Sequence, residues 1–144
     1  MVEFDFSPRK DGWIELEFKT SLRTHYVSFS DDYDSFKEIP VALSNALHLG
    51  SGCFHFCVNE SGKDPELERW ELTYNKRTLV LTIIDDENRK VLSQSFDSFL
   101  DFTNPLINAL ESLSGSLSDW KSSGPDLRVL RQFTDPKVYH GESA

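Results

Sequence analysis

The segment Trp13-Ile14-Glu15-Leu16-Glu17-Phe18 alternates strictly, with Ile14, Leu16 and Phe18 on one face and Glu15 and Glu17 on the other. A period of two is the signature of a strand buried on one side only. A tight turn and a second strand over residues 22–29 follow. Phe36, Ile39, Leu43 and Ala46/Leu47 then recur at helical spacing and lay one apolar stripe along a helix. The whole pattern returns further down the chain. Tyr33-Asp34-Ser35-Phe36 reappears as Phe96-Asp97-Ser98-Phe99, and Asn45-Ala46-Leu47 as Asn108-Ala109-Leu110, both displaced by 63 residues. The same displacement sets Leu16 on Leu79, Phe18 on Leu81, Phe29 on Leu92, Leu43 on Leu106, Ser51 on Ser114 and Gly52 on Gly115. One displacement shared by separate blocks is the mark of a repeated unit.

The pattern predicts an α+β fold, a duplicated antiparallel β-meander plus helix, with repeats over about 13–52 and 76–115. The second hairpin is expected over 77–84 and 90–95 around Asp85-Asp86-Glu87-Asn88. Further strands over 2–6, 52–58 and 68–74 bring the total to about seven, with two main helices. Ser35 with Glu38 and Ser98 with Asp101 are placed as capping pairs, and Pro40 and Pro105 predict a short first turn followed by a kink or restart. Residues 60–66 read as a charged loop. The expected single domain covers 1–118. Residues 119–144 read as an irregular C-terminal tail packed on it through Leu127, Val129, Leu130 and Phe133, fraying after Pro136.

With 144 residues, of which 38% are hydrophobic, eleven are Phe and three are Trp, the chain can bury a real core. The opening Met1-Val2-Glu3-Phe4-Asp5-Phe6 lacks the basic end and apolar run of a signal peptide, and no stretch approaches the ~20 apolar residues of a membrane span, so the expected location is cytoplasmic. The formal charge of −9 opposes binding to phosphate backbones and favours a basic protein partner. Solubility alone also accounts for acidity in many cytosolic proteins.

Cys53, His55 and Cys57 fall on one face of a predicted strand, and thiolates with imidazole are ligands that zinc prefers. A structural zinc site needs four ligands, and no second Cys/His cluster exists in the sequence. Both cysteines therefore read as small hydrophobes and reduced thiols, with no metal and no cofactor expected. Cysteine catalysis would need an adjacent base, and His55 lies ~7 Å along the strand from either thiol. The repeated Asp-Ser-Phe reads as helix capping plus a Phe anchor rather than half of an active site. No phosphate loop or dinucleotide fingerprint occurs. No enzymatic activity is expected.

The duplicated strands-then-helix unit resembles the Whirly-type fold, in which two such repeats build packed sheets with helices. Its best-known members bind single-stranded DNA through basic and aromatic surfaces, whereas this chain has no lysine- and glycine-rich segment in its second repeat and is strongly acidic. The small, acidic, motif-poor chain also resembles the immunity proteins of contact-dependent inhibition and related polymorphic toxin systems, some of which are Whirly-like. That resemblance implies a non-enzymatic protein that neutralises a basic nuclease toxin by occluding its active site. The acidic clusters Asp31, Asp32 and Asp34, Glu66 and Glu68, and Asp85, Asp86 and Glu87 are the expected partner-binding residues, because carboxylates can stand where such a toxin expects phosphates. The alternative is a structural or regulatory module acting by self-association or by binding a small ligand between its helices and sheet.

Overall fold

A computed structural model describes residues 2–9, 12–30, 33–59, 66–117 and 124–135. Three strands come first, β1 (Glu3–Pro8), β2 (Ile14–Lys19) and β3 (Thr24–Phe29), and form an antiparallel sheet in that order before helix α1 (Ser35–Leu49). Four more, β4 (Ser51–Asn59), β5 (Glu66–Tyr74), β6 (Leu79–Ile84) and β7 (Lys90–Phe96), form a second antiparallel sheet, again in chain order, before α2 (Phe99–Ser114). The predicted α+β fold with seven strands and two main helices is the one observed.

Side chains on the turns define the hairpins. The Thr20 hydroxyl accepts from the amides of Leu22 and Arg23 and closes β2 onto β3. Asn75 Oδ1 accepts from Arg77 and Thr78, with Lys76 at φ 75°, and closes β5 onto β6. These are short polar oxygens substituting for ladder bonds where the chain reverses.

The inward faces of the two sheets meet on aromatic rings. Trp70 of β5 is fully buried, with ring centroids of Phe56 at 5.3 Å, Phe18 at 5.5 Å and Phe54 at 5.7 Å. Such pairs contribute about 0.5–1.5 kcal/mol each beyond their burial. The helices cross over between the sheets. The helix that follows the first sheet, α1, packs on β4 and β5 of the second, while α2 lies on β1 of the first sheet and also touches β7. Phe102 of α2 sits 5.8 Å from Phe4 of β1 and 5.3 Å from Phe96 of β7. One seam between the sheets is closed by the Ser30 amide donating to the Cys57 carbonyl at 3.1 Å, and α2 covers the opposite seam between the edge strands β1 and β7.

Three local expectations need correction. Ser35 does not cap α1; Asp34 does, its carboxylate accepting from the Lys37 amide at 3.1 Å, while Ser35 becomes the first helical residue and is buried. Ser98 caps α2 as expected, accepting from the Asp101 amide at 3.2 Å. Neither proline restarts its helix. Each removes one backbone bond, and the helix runs on because its apolar stripe is buried on both sides of the proline, at Ile39 and Ala42 in α1 and at Phe102 and Leu106 in α2. The C-terminal stretch is not wholly irregular: it contains a short helix α3 (Leu127–Arg131), capped by Asp126, and a 3-10 turn at Gln132–Thr134. Leu130 and Phe133 bury themselves against α2, and the Thr103 hydroxyl donates to the Phe133 carbonyl at 3.1 Å. The expected fraying after Pro136 lies outside the described residues.

Candidate functional site

Of the eight carboxylates expected to bind a partner, the six that are described do not form one exposed face. Asp31 and Asp32 lie outside the described residues. Asp34 caps α1 at the start of that helix. The ladder between β5 and β6 pairs Arg69 with Ile84, which places Glu66, Glu68 and the Asp85–Glu87 turn at one end of the second sheet. Within that end the roles differ. Glu68 has to be withdrawn as a partner contact, because it is only 7% exposed and its Oε1 takes His25 Nε2 at 2.9 Å and the Trp70 indole N–H at 2.8 Å. Position 68 shares the inward face with Trp70 and Leu72, so the alternation of β5 turns this carboxylate into the core. Asp85 holds its own turn: Oδ1 accepts from the amides of Glu87 at 3.0 Å and Arg89 at 2.8 Å, and the bond from the Arg89 amide is the main reason its carboxyl titrates below the usual range. Arg89 pairs with both Asp85 and Glu87 at 3.1 Å. Glu66 is half-buried, and Asp86 and Glu87 are exposed at the tip.

The structure assembles a different acidic surface on the outer face of the first sheet. Strand alternation sends Phe4 and Phe6 inward and Glu3 and Asp5 outward, and on β2 it sends Ile14, Leu16 and Phe18 inward and Glu15 and Glu17 outward. The register sets Asp5 directly opposite Glu17, and Glu17 directly opposite Tyr26 of β3, whose ring is 69% exposed. Like charges facing across a ladder destabilise a sheet. Compensation within the chain is modest, with Lys19 at 3.4 Å from Glu17 and Arg9 at 3.7 Å from Glu15, all at exposed positions where ion pairs contribute about 0–1 kcal/mol. Glu15 and Glu17 were visible as the polar half of an alternating strand. The signal for Glu3 and Asp5 was the same alternation in Glu3-Phe4-Asp5-Phe6, and residues 2–6 were expected to pair with 13–18, as they do, but the register that sets Asp5 opposite Glu17 could not be read from it.

The tempting Cys53, His55 and Cys57 set is split by its surroundings. Cys53 is exposed and Cys57 is buried. Among the described residues no group of three or more His, Cys, Asp or Glu side chains is placed to hold a metal ion. His55 is held instead by Glu38 of α1, whose Oε1 accepts from the His55 backbone N–H at 2.6 Å and from Nδ1 at 3.0 Å. Because a carboxylate only accepts, Nδ1 is the donor of this bond. The Tyr33 hydroxyl donates to the other oxygen, Glu38 Oε2, at 2.5 Å. This carboxylate ties α1 to the edge strand β4 and occupies one of its amides, which blunts an otherwise open sheet edge. Burial and then the negative charge of Glu38 push the Cys53 thiol up, and burial followed by the bond to Glu38 pushes the Tyr33 phenol well above its usual range. A thiol shifted upward is a poor nucleophile at neutral pH, so the arrangement suits a structural clamp rather than cysteine chemistry.

No family model, no curated protein and no solved structure matches this chain. Among the described residues no helix is long and apolar enough to cross a membrane.

Proposed function

We propose that the protein is a non-enzymatic binding protein of the cytoplasm that neutralises a basic protein, in the manner of an immunity protein occluding a nuclease toxin. The observation that carries this reading is the Asp5–Glu17 pair on the outer face of the first sheet. A chain of net charge −9 keeps two carboxylates directly opposed on an exposed face beside a solvent-facing tyrosine, where the contact of Lys19 with Glu17 compensates only in part. A cationic partner compensates that repulsion on binding, and exposed Tyr supplies a rigid, amphipathic contact of the kind enriched in interfaces. Steering by such a face accelerates association and makes it sensitive to salt. The likeness to immunity proteins stated above supports the choice of a nuclease toxin as the partner.

Co-expression with a basic nuclease toxin tests the proposal. Cells are expected to survive, and a one-to-one complex is expected to co-purify with an association rate that falls as salt rises. Cells that die with the chain present at full level, with no complex recovered, would sink the reading and leave self-association or small-ligand binding in its place.

A further inference from the structure

Beyond the outer face of the first sheet, a groove runs among the described residues along the seam that α2 covers. Two open clefts of about 410 Å³ and 390 Å³ lie along this helix and adjoin, since Val2 and Pro105 line both. The first runs past Phe96 and Leu100 near the end of β7, and its polar wall includes Asp97 and Asp101. The second runs past Phe4 and Ala109 along β1, and its wall includes Glu3 and Asp5. Among the described residues Lys19 is the one cation that lines either cleft, and its ammonium is 3.4 Å from Glu17. Asn104 in the first cleft and Asn108 in the second add amides on the exposed side of α2, the Asn108 Oδ1 accepting from the Arg131 guanidinium at 3.2 Å. The groove therefore has an apolar floor, carboxylates at both ends and amides between them.

We infer that this groove receives an extended, lysine- or arginine-bearing segment of a protein partner. The inference rests on the proposed function and locates its contact. Charge complementarity selects the occupant: the four lining carboxylates outnumber the nearby cations, Lys19 held by Glu17 and Arg131 held by Glu111, and so attract a cationic segment and repel an acidic one. Shape selects an extended chain, because alternating side chains of a strand-like peptide set apolar groups on the floor while the intervening cations reach the carboxylates. The groove is also continuous with the acidic outer face, since Glu3 and Asp5 belong to β1 and border both. A basic partner steered to that face therefore meets the groove without a gap.

A short fluorescent peptide of alternating lysine and valine, titrated into the full chain and followed by anisotropy and by amide chemical shifts, tests this directly. Saturable binding is expected, with shifts concentrated at Leu100, Asp101, Asn104 and Asn108 and along β1. Asp97→Asn with Asp101→Asn is expected to weaken the peptide about tenfold, while Glu71→Gln, which removes charge from β5, changes it less than about twofold. A glutamine–valine peptide is expected not to bind. Equal binding of the uncharged peptide, equal weakening by Glu71→Gln, or shifts elsewhere would overturn the inference, as would sedimentation showing that a second copy of the chain fills the groove. The two readings fail separately. A chain that protects cells undiminished by Asp97→Asn with Asp101→Asn refutes the groove and leaves the function standing, whereas a chain that binds the peptide there yet protects no cell refutes the function alone.

Discussion

Glu68 of β5 and His25 of β3 face each other across the two sheets, with Oε1 and Nε2 2.9 Å apart. The same oxygen accepts from the Trp70 indole at 2.8 Å, so one carboxylate satisfies two donors at the rim of the aromatic core. Buried donors left unpaired cost about 1–3 kcal/mol each. Glu68→Ala is accordingly expected to lower stability in urea by about 2–5 kcal/mol, and Glu68→Gln by less, because its amide oxygen still accepts one bond. A loss below about 0.5 kcal/mol for the alanine variant would show that the pair is not part of the folded core.

The repeated Phe anchors carry equal weight. Phe36 and Phe99 open their helices, are both buried, and rest on different rings, Phe36 on Phe29 at 6.1 Å and Phe99 on Tyr74 at 4.9 Å. Each Phe→Ala variant should cost about 3–5 kcal/mol. Because Phe29 belongs to the first sheet and Tyr74 to the second, the double variant should lose the sum to within about 0.5 kcal/mol. Strong non-additivity in equilibrium unfolding would mean that the two halves are coupled through the anchors themselves.

Gly52 and Gly115 match at the 63-residue displacement but answer to different demands. A Cβ on Gly52 would come within 2.2 Å of the Ala42 carbonyl oxygen, where α1 crosses β4, whereas one on Gly115 meets nothing within 4 Å and that residue has φ −73°. Gly52→Ala should therefore destabilise by about 1–3 kcal/mol through forced separation of helix and strand. Gly115→Ala should be neutral or stabilise by up to about 1 kcal/mol. Paired thermal melts decide between them, and an inert Gly52→Ala would contradict the close helix–strand contact.

This contrast shows where the sequence was legible. Strand alternation, the helix stripes and the turn residues were readable because each is a local pattern with its own period. The helices do correspond at the displacement of 63, Phe36 with Phe99 and Leu43 with Leu106, but the strands slip. Phe4 pairs with Phe18 across β1–β2 as Trp70 pairs with Ile83 across β5–β6, so Phe18 answers by ladder position to Ile83 rather than to Leu81. A slip of two leaves the inward phase unchanged, and periodicity is blind to it. The slip grows to four at the next strand, where Ile14 pairs with Phe29 as Leu79 pairs with Phe96, and the chain absorbs it before the helix, with seven positions from Phe29 to Phe36 and three from Phe96 to Phe99. Neighbours brought together across elements were illegible for the same reason. Glu38 reaching His55, and Glu68 reaching His25, depend on the crossing of helix and sheets, which no single segment encodes.

The clamp at α1 predicts chemical behaviour. Cys53 is exposed yet its thiol is pushed up by burial and by the nearby carboxylates of Glu38 and Glu71, so reaction with iodoacetamide at pH 7.5 should be slower than that of an unstructured cysteine peptide. Glu38→Gln removes a negative charge and should speed it. For Tyr33, a phenol whose folded state holds its proton above the usual range lets the unfolded chain lose that proton first. Stability is then full below the unfolded value of about 10 and declines as pH rises past it. Tyr33→Phe should start less stable and show a shallower alkaline decline. A faster-than-peptide Cys53, or an alkaline limb unchanged by Tyr33→Phe, would refute the clamp as described.

Asp5 opposite Glu17 predicts a trade between stability and binding. Replacing a like-charge cross-strand pair by an opposite one shifts sheet stability by about 0.2–1 kcal/mol. Asp5→Lys should therefore raise the urea midpoint of the isolated protein while slowing its association with a basic partner. The control is Asp5→Asn, which removes the repulsion without adding attraction and should fall between the two in both measurements. Stopped-flow association at low and physiological salt separates steering from contact, because a charge that only steers loses its effect as salt rises. If Asp5→Lys destabilises the chain, then Asp5 has a favourable partner within the fold. If it stabilises the chain and leaves association untouched, the repulsion on this face serves no partner, and the binding surface lies elsewhere on the molecule.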